Sequence, residues 1–231
     1  MSEITSAEWT AILLSLRVAV IATIVATPFG IALAWLLARH NFWGKSALDA
    51  LVHLPLVLPP VVTGYLLLLT LGRRGLVGAW LADNLGIVFA FRWTGAALAC
   101  GVMSFPLLVR PIRLSIEAID RRLEQAASTL GAAPWKVFAT ITLPLALPGI
   151  LAGMVLGFAK AIGEFGATIT FVSNIPGETQ VISSAIYSLI QTPDGDAAAM
   201  RLVIISIIIA TAALIGSEWF ARRATQRLHG N

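Results

Sequence analysis

The sequence predicts an all-α protein that crosses a membrane about five times, N-terminus outside and C-terminus inside, as one integral-membrane domain over residues 1–231. Three observations carry that reading. Of the 231 residues, 58% are hydrophobic and 12% charged, against roughly 25% charged in soluble domains, so lipid must solvate much of this chain. Several apolar runs reach the ~20 residues that a helix needs to cross hydrocarbon, and the length leaves room for about five or six of them. Basic residues gather at alternate ends of those runs, as they do when one side of the membrane retains Lys and Arg.

The elements follow in chain order. The opening MSEITSAEWT holds Glu3 and Glu8 but no Lys or Arg, unlike the basic start of a cleaved leader, so the first span is expected to be retained. That span covers residues 13–38, with Arg17 near its start able to snorkel to the interface. Arg39, His40, Asn41 and Lys45 then mark a cytoplasmic end. Gly44-Lys45-Ser46 resembles the tail of a phosphate loop, but Arg39 stands where that pattern needs glycine, and a membrane helix where it needs a strand. Span two, 51–71, starts within HLPLVLPPVV. Pro55, Pro59 and Pro60 each remove a helical donor, so it must be kinked or begin irregularly. His53 is read as interfacial in preference to functional. Arg73 and Arg74 follow, then an amphipathic link, VGAWLADNLGIVFAF, whose Trp80, with Trp93 beyond it, suits an interface.

Span three covers 94–109 and is followed by a mixed-charge surface helix in the linker after Pro111, with Ile112, Ile116 and Ile119 at helical spacing. Span four, 145–167, carries Lys160 and Glu164. The mixed stretch 168–199 reads as an interfacial or re-entrant helix, and span five covers 202–220. Ten basic residues fall on the proposed inner side: Arg39, Lys45, Arg110, Arg113, Arg121, Arg122, Lys136, Arg222, Arg223 and Arg227. Five fall outside or near the outer end: Arg17, Arg73, Arg74, Arg92 and Arg201. The excess sets the orientation and places residues 120–144 in the cytoplasm.

That segment is organised as a docking knob. Glu124, Gln125, Ala126 and Ala127 favour helix, Gly131 suits the left-handed residue that ends one, and Pro134 can open the next. A helix of about ten residues is marginal alone in water, so something must pack on it. The alanines allow close backbone approach, while Leu130, Trp135 and Phe138 offer apolar anchors. An ordinary amphipathic connector would have the same spacing.

The pattern QAAxxxG, nine residues, then IxLP (Gln125 to Pro144) closely resembles the EAA loop of binding-protein-dependent ABC transporter permeases. Gln125 stands where that motif has Glu, with Glu124 one residue early. HLPLVLPPVVTGY, GRRGLVG, SFPLLVR, LEQAASTLGA and GEFGATITFVSNIPGET (from Gly163) look like the molybdate branch of the family, with sulfate permeases as near relatives. The short N-terminus also favours molybdate over sulfate. The resemblance implies the type I ABC importer permease fold in the cell inner membrane and a permease homodimer. It further implies a cytoplasmic ABC ATPase dimer seated on the loop and an external oxyanion-binding protein. ATP would be used by the partner, with no cofactor bound by this chain. Sulfate, thiosulfate or tungstate are the alternative cargoes.

Lys160 and Glu164, four apart, are expected on one helix face. An intramembrane charge costs about 2.5–3.5 kcal/mol on insertion scales and is usually paired or water-facing, so the two are a structural pair or a gate in the pathway. A tetrahedral dianion needs donors such as helix N-termini and hydroxyls. Thr63, Gly64, Ser104, Thr168 and Thr170 are accordingly candidates to line its path, although small polar residues also pack membrane helices together. LPLVLPP and LPLALP, at 54–60 and 143–148, echo the paired broken helices that point to a transport path. Other classes are disfavoured. The +4 net charge is scattered at helix ends and not gathered into a nucleic-acid-binding stripe. One cysteine, Cys100, excludes an intrachain disulfide or a cysteine zinc cluster. An intramembrane enzyme would need HExxH, GxSxG or clustered histidines, whereas His40, His53 and His229 lie far apart.

Overall fold

Among the described residues of the computed structural model, three helices can cross a membrane, and the crossings number up to five if each of two bent pairs is one span. The structure describes the backbone of residues 4–229 and the side chains of residues 4–216. Three continuous helices are long and apolar enough to span: α1 (Ser6–Arg39), α5 (Trp93–Glu117) and α12 (Asp196–His229). Two bent pairs pass the same test of length and composition as units. The first is α2 (Lys45–Val57) with α3 (Pro60–Leu71), bent by 114°. The second joins Pro134–Leu145 to α9 (Leu147–Ile162) through a 67° bend.

Helix α1 starts in a capping box. The Thr5 hydroxyl accepts from the Glu8 amide at 3.3 Å, and the Glu8 carboxylate accepts from the Thr5 amide at 2.6 Å. Two of the orphan donors of the first turn are thereby satisfied. Glu8 also pairs with Arg201 of α12 at 2.8 Å, tying together the start of the first and last spans.

Span two departs most from a simple kink. The chain leaves the helix at Leu58, in extended conformation, and restarts with Pro60 at the first helical position. Consecutive prolines explain it: the residue before each is driven out of the α region, while Pro60 needs no donor at a helix start. The helix before the break also begins earlier than expected, at Lys45. Tight backbone contact then folds α3 onto α4 (Leu76–Leu85): a Cβ on Gly78 would fall 2.1 Å from the Gly72 carbonyl oxygen.

Span three is longer than the sequence suggests. Helix α5 runs through Pro106 and Pro111 to Glu117, where a linker was expected after Pro111. Its buried face does not stop at the prolines: Leu108, Val109, Ile112 and Ile116 are all at most 1% exposed. That continuous packing offsets the two lost hydrogen bonds.

The bundle centre is α1, α5 and α9. On α9, Gly149, Gly153 and Gly157 recur every fourth residue against α5. A Cβ on Gly153 would stand 2.5 Å from the Leu108 carbonyl oxygen, and one on Gly149 would be 2.3 Å from Ser115 Cβ. Small residues let the backbones touch, which is how membrane helices gain packing energy without a hydrophobic drive. Span four itself is shorter than expected: α9 ends at Ile162, and a separate α10 (Gly166–Val172) follows a break. Helix α11 (Ile182–Leu189) then packs on α1 and α12 through Ile12, Ile182 and Leu202. The side chains of Arg222, Arg223 and Arg227, and the whole of Glu3, lie outside the described residues.

Candidate functional site: a docking knob and an intramembrane ion pair

Two groups of residues stand out, at opposite ends of α9. The first is the knob, built by α6 (Arg121–Thr129) and α7 (Pro134–Val137). Asp120 caps α6, its carboxylate accepting from the Arg122 amide at 2.9 Å. Gly131, at φ +84°, ends the helix. The Gly131 amide donates to the Ser128 carbonyl and the Ala132 amide to that of Ala127, the paired bonds of a Schellman motif. Pro134 opens α7 as expected. A π-helical turn (Phe138–Thr142) and α8 (Leu143–Leu145) lead to α9.

The knob has an outer and an inner face. Gln125, Ala126, Gly131 and Pro134 are exposed and Ala127 is half-buried. Leu130 is 88% exposed and Trp135 73%, so both apolar side chains are open to contact. Glu124 points the other way. Its carboxylate accepts from Arg39 Nη2 at 3.2 Å and from Thr142 Oγ1 at 2.6 Å, and Arg39 Nε lies 3.1 Å away. Arg39 also donates to the Ile119 carbonyl, and Trp35 meets Phe138 edge-on at 5.6 Å between ring centroids. The end of α1 therefore holds the knob in place. In the sequence Arg39 marks only a cytoplasmic end, because a pairing with a residue 85 positions away leaves no local trace.

The second group lies at the break after α9. Lys160 and Glu164 are not on one helix face: Glu164 sits beyond the helix end and folds back. Its carboxylate pairs with Lys160 Nζ at 2.6 Å and accepts from the Ala167 amide at 3.0 Å, capping α10. Glu164 is 1% exposed, while the Lys160 side chain is 28% exposed. Ser183 of α11 donates to the Glu164 carbonyl at 2.7 Å, and Tyr187 packs on Phe165.

Helix α10 crosses α3 at glycines. A Cβ on Gly64 would lie 2.5 Å from the Ala167 carbonyl oxygen, and one on Gly166 would meet Pro60. Of the small polar candidates, Thr63, Gly64, Thr168 and Thr170 gather along these two helices. Thr63 Oγ1 is buried without a hydrogen-bond partner among the described residues. Thr168 and Thr170 donate to carbonyls of their own helix start, Phe165 and Gly166. Ser104 lies elsewhere, enclosed in α5 with its hydroxyl on the Gly101 carbonyl. The glycine stripe of α9 passed unnoticed in the sequence, although its four-residue repeat inside an apolar run is a legible packing signal.

Comparison with known proteins bears on this arrangement. The family model described as binding-protein-dependent transport system inner membrane component matches residues 26–226. The chain is 62% identical to the molybdenum transport system permease protein ModB of Escherichia coli (strain K12), over 97% of this chain and 98% of that protein. It is 57% identical to the protein of the same name from Haemophilus influenzae, over 96% of each. Among solved structures it is similar to a bacterial alginate ABC transporter in complex with an alginate pentasaccharide-bound periplasmic protein. That likeness has a TM-score of 0.75 at 21% identity, over 96% of this chain and 81% of the other.

Proposed function

The chain belongs to the family of binding-protein-dependent transport system inner membrane components, and from that premise we propose that it forms the translocation path of an ATP-driven molybdate importer. It is a multi-pass inner-membrane permease subunit. The observation that carries the cargo is the 62% identity, nearly end to end, with a molybdenum transport permease.

The mechanism follows from the two sites. Two copies of the chain enclose one path, since five spans are too few to surround it alone. Cytoplasmic ABC ATPase subunits receive Leu130, Trp135 and the Gln125–Ala126–Ala127 face of the knob, whose exposed apolar surface supports such docking. ATP binding and hydrolysis stay in those partners, and this chain binds no cofactor and makes or breaks no bond. An external oxyanion-binding protein delivers cargo, as the periplasmic protein accompanies the alginate transporter. Closing and opening of the ATPases moves the paired knobs and rocks the spans between two states.

Lys160 and Glu164 guard the path. The accessible part of the ammonium must face water or protein, because hydrocarbon disfavours it strongly. Glu164 neutralises it, so a passing dianion meets a positive group already satisfied and is not trapped. Helix α3, which Pro60 opens after the break at Leu58, turns its N-terminal end toward the same region.

The test is complementation. A strain lacking its own molybdate permease, given this chain with its ATPase and binding protein, is expected to regain uptake of radiolabelled molybdate that excess sulfate does not suppress. Recovery of sulfate uptake without molybdate uptake would refute the assignment.

A further inference from the structure

An apolar slot of about 690 Å³ opens between α1, α2 and α5, apart from the knob and from the Lys160–Glu164 pair. Ile21 and Phe29 on α1, Leu51 on α2, and Trp93 and Phe105 on α5 line it. That volume falls within the ~300–1,000 Å³ of pockets that bury a drug-sized ligand, enough for one long acyl chain. Its length agrees. Trp93 and Phe105 are twelve residues apart on one helix, ~18 Å at 1.5 Å per residue, close to the ~15 Å of one hydrocarbon leaflet.

One end of the slot is basic and aromatic. The Arg17 guanidinium lies 3.8 Å from the centroid of the Trp93 ring, and Arg17 precedes Ile21 by one helical turn on the same face of α1. Arg17 and Arg92 are exposed, and no carboxylate among the described residues forms an ion pair with either. The slot exists because α2 swings away at the Leu58–Pro59 break and is held to α5, Asp49 to Arg113 at 2.9 Å.

We propose that this slot retains one phospholipid per chain, its acyl chain between α1, α2 and α5 and its phosphate on Arg17. A guanidinium donates two parallel hydrogen bonds to a phosphate, and Trp marks the level of the headgroups. The apolar walls then take the chain, and the lipid occupies the space that keeps α2 off α1. A bare gap of this size would forfeit the contacts of every wall atom.

Gly101 supplies the test. It lines the slot, and a Cβ there meets nothing nearer than the Ala22 carbonyl oxygen at 3.9 Å, so Gly101→Leu fills the slot without a backbone clash. The full chain is purified in mild detergent with palmitoyl-oleoyl phosphatidylglycerol and weighed by native mass spectrometry. Wild type is expected to keep one phospholipid per chain, and Gly101→Leu and Arg17→Gln to keep at least tenfold less at unchanged helical content. Equal retention in Gly101→Leu overturns the proposal. Should either variant fail to fold, wild type is exposed to a phosphatidylglycerol bearing a diazirine in its acyl chain. Labelling is expected on 21–29 and 94–105, and labelling confined to α12 overturns the proposal. Chains carrying Leu51→Cys with Cys100→Ser are expected not to cross-link; a cross-linked dimer would show a second copy seated in the slot and overturn it too.

Discussion

Replacing Glu124 by alanine removes the carboxylate that ties the knob to α1, and the cost can be worked out from the contacts. Arg39 Nε and Nη2 lie 3.1 and 3.2 Å from its oxygens, and Thr142 Oγ1 2.6 Å. The Arg39 side chain is 9% exposed and that of Glu124 18%. Truncating one partner of a buried pair costs about 3–5 kcal/mol, because the other charge is left uncompensated. Partial solvent screening at these exposures reduces that to about 2–3 kcal/mol. At 1.36 kcal/mol per tenfold, the undocked population of the knob rises about 30- to 150-fold. Helix α6 has nine residues and little stability of its own, so undocking unfolds it. Hydrogen exchange of amides 125–131 in Glu124→Ala should therefore accelerate by that factor while α9 amides stay protected. Adding Arg39→Met should recover part of the loss, because the stranded charge disappears with it. Unchanged exchange in Glu124→Ala, or a double variant as damaged as the two singles summed, would refute the tether.

Four further expectations follow from other contacts. Gly131→Val places a branched side chain at φ +84°, costing about 1–2 kcal/mol; ATPase co-purification should weaken while the membrane bundle keeps its Tm. Gly153→Leu must displace the Leu108 carbonyl and costs about 3 kcal/mol by overpacking, lowering Tm. Gly157→Ala, with neighbours at 3.6 Å, should be tolerated in the same melting assay. Lys160→Met is expected to abolish molybdate uptake with ATPase assembly intact; wild-type uptake in that variant would remove Lys160 from the path.

Periodicity and composition made the crossings legible, because burial in lipid or protein leaves long apolar runs whatever the tertiary fold. Where helices break was partly legible. Prolines 59 and 60 announced an irregular start, yet a 114° bend depends on how α2 and α3 pack, which local sequence does not encode. Pro111 misled in the opposite direction. The helix continues through it because Ile112 and Ile116 are buried against neighbours, a tertiary gain that outweighs the local penalty. At the sites, Gly131 and Pro134 were legible because they satisfy helix ends locally. The inward turn of Glu124 and the fold-back of Glu164 were not, since each depends on a partner or break set by the assembled chain.

The placing of the two sites at either end of α9 bears on how work would reach the path. Between Leu147 and Ile162 the helix is continuous, about 24 Å of rod at 1.5 Å per residue, and its glycine stripe locks it onto α5. The knob is bonded to α1 through Arg39 and joined to α9 through a bend and a π-helical turn. Helices α1, α5, α9 and the knob therefore share direct backbone contacts or charged tethers and favour movement as one body. The elements around Lys160 and Glu164 differ: α3 and α10 each begin after a non-helical break, and breaks absorb dihedral change where helices cannot. On the proposed coupling, a push on Leu130 and Trp135 would pass through the bend before α9, run along α9 and be released where the helix stops, at the ion pair. On that proposal a continuous α9–α10 helix would carry the push past that point, so the break after Ile162, and not the charge alone, would permit gating there.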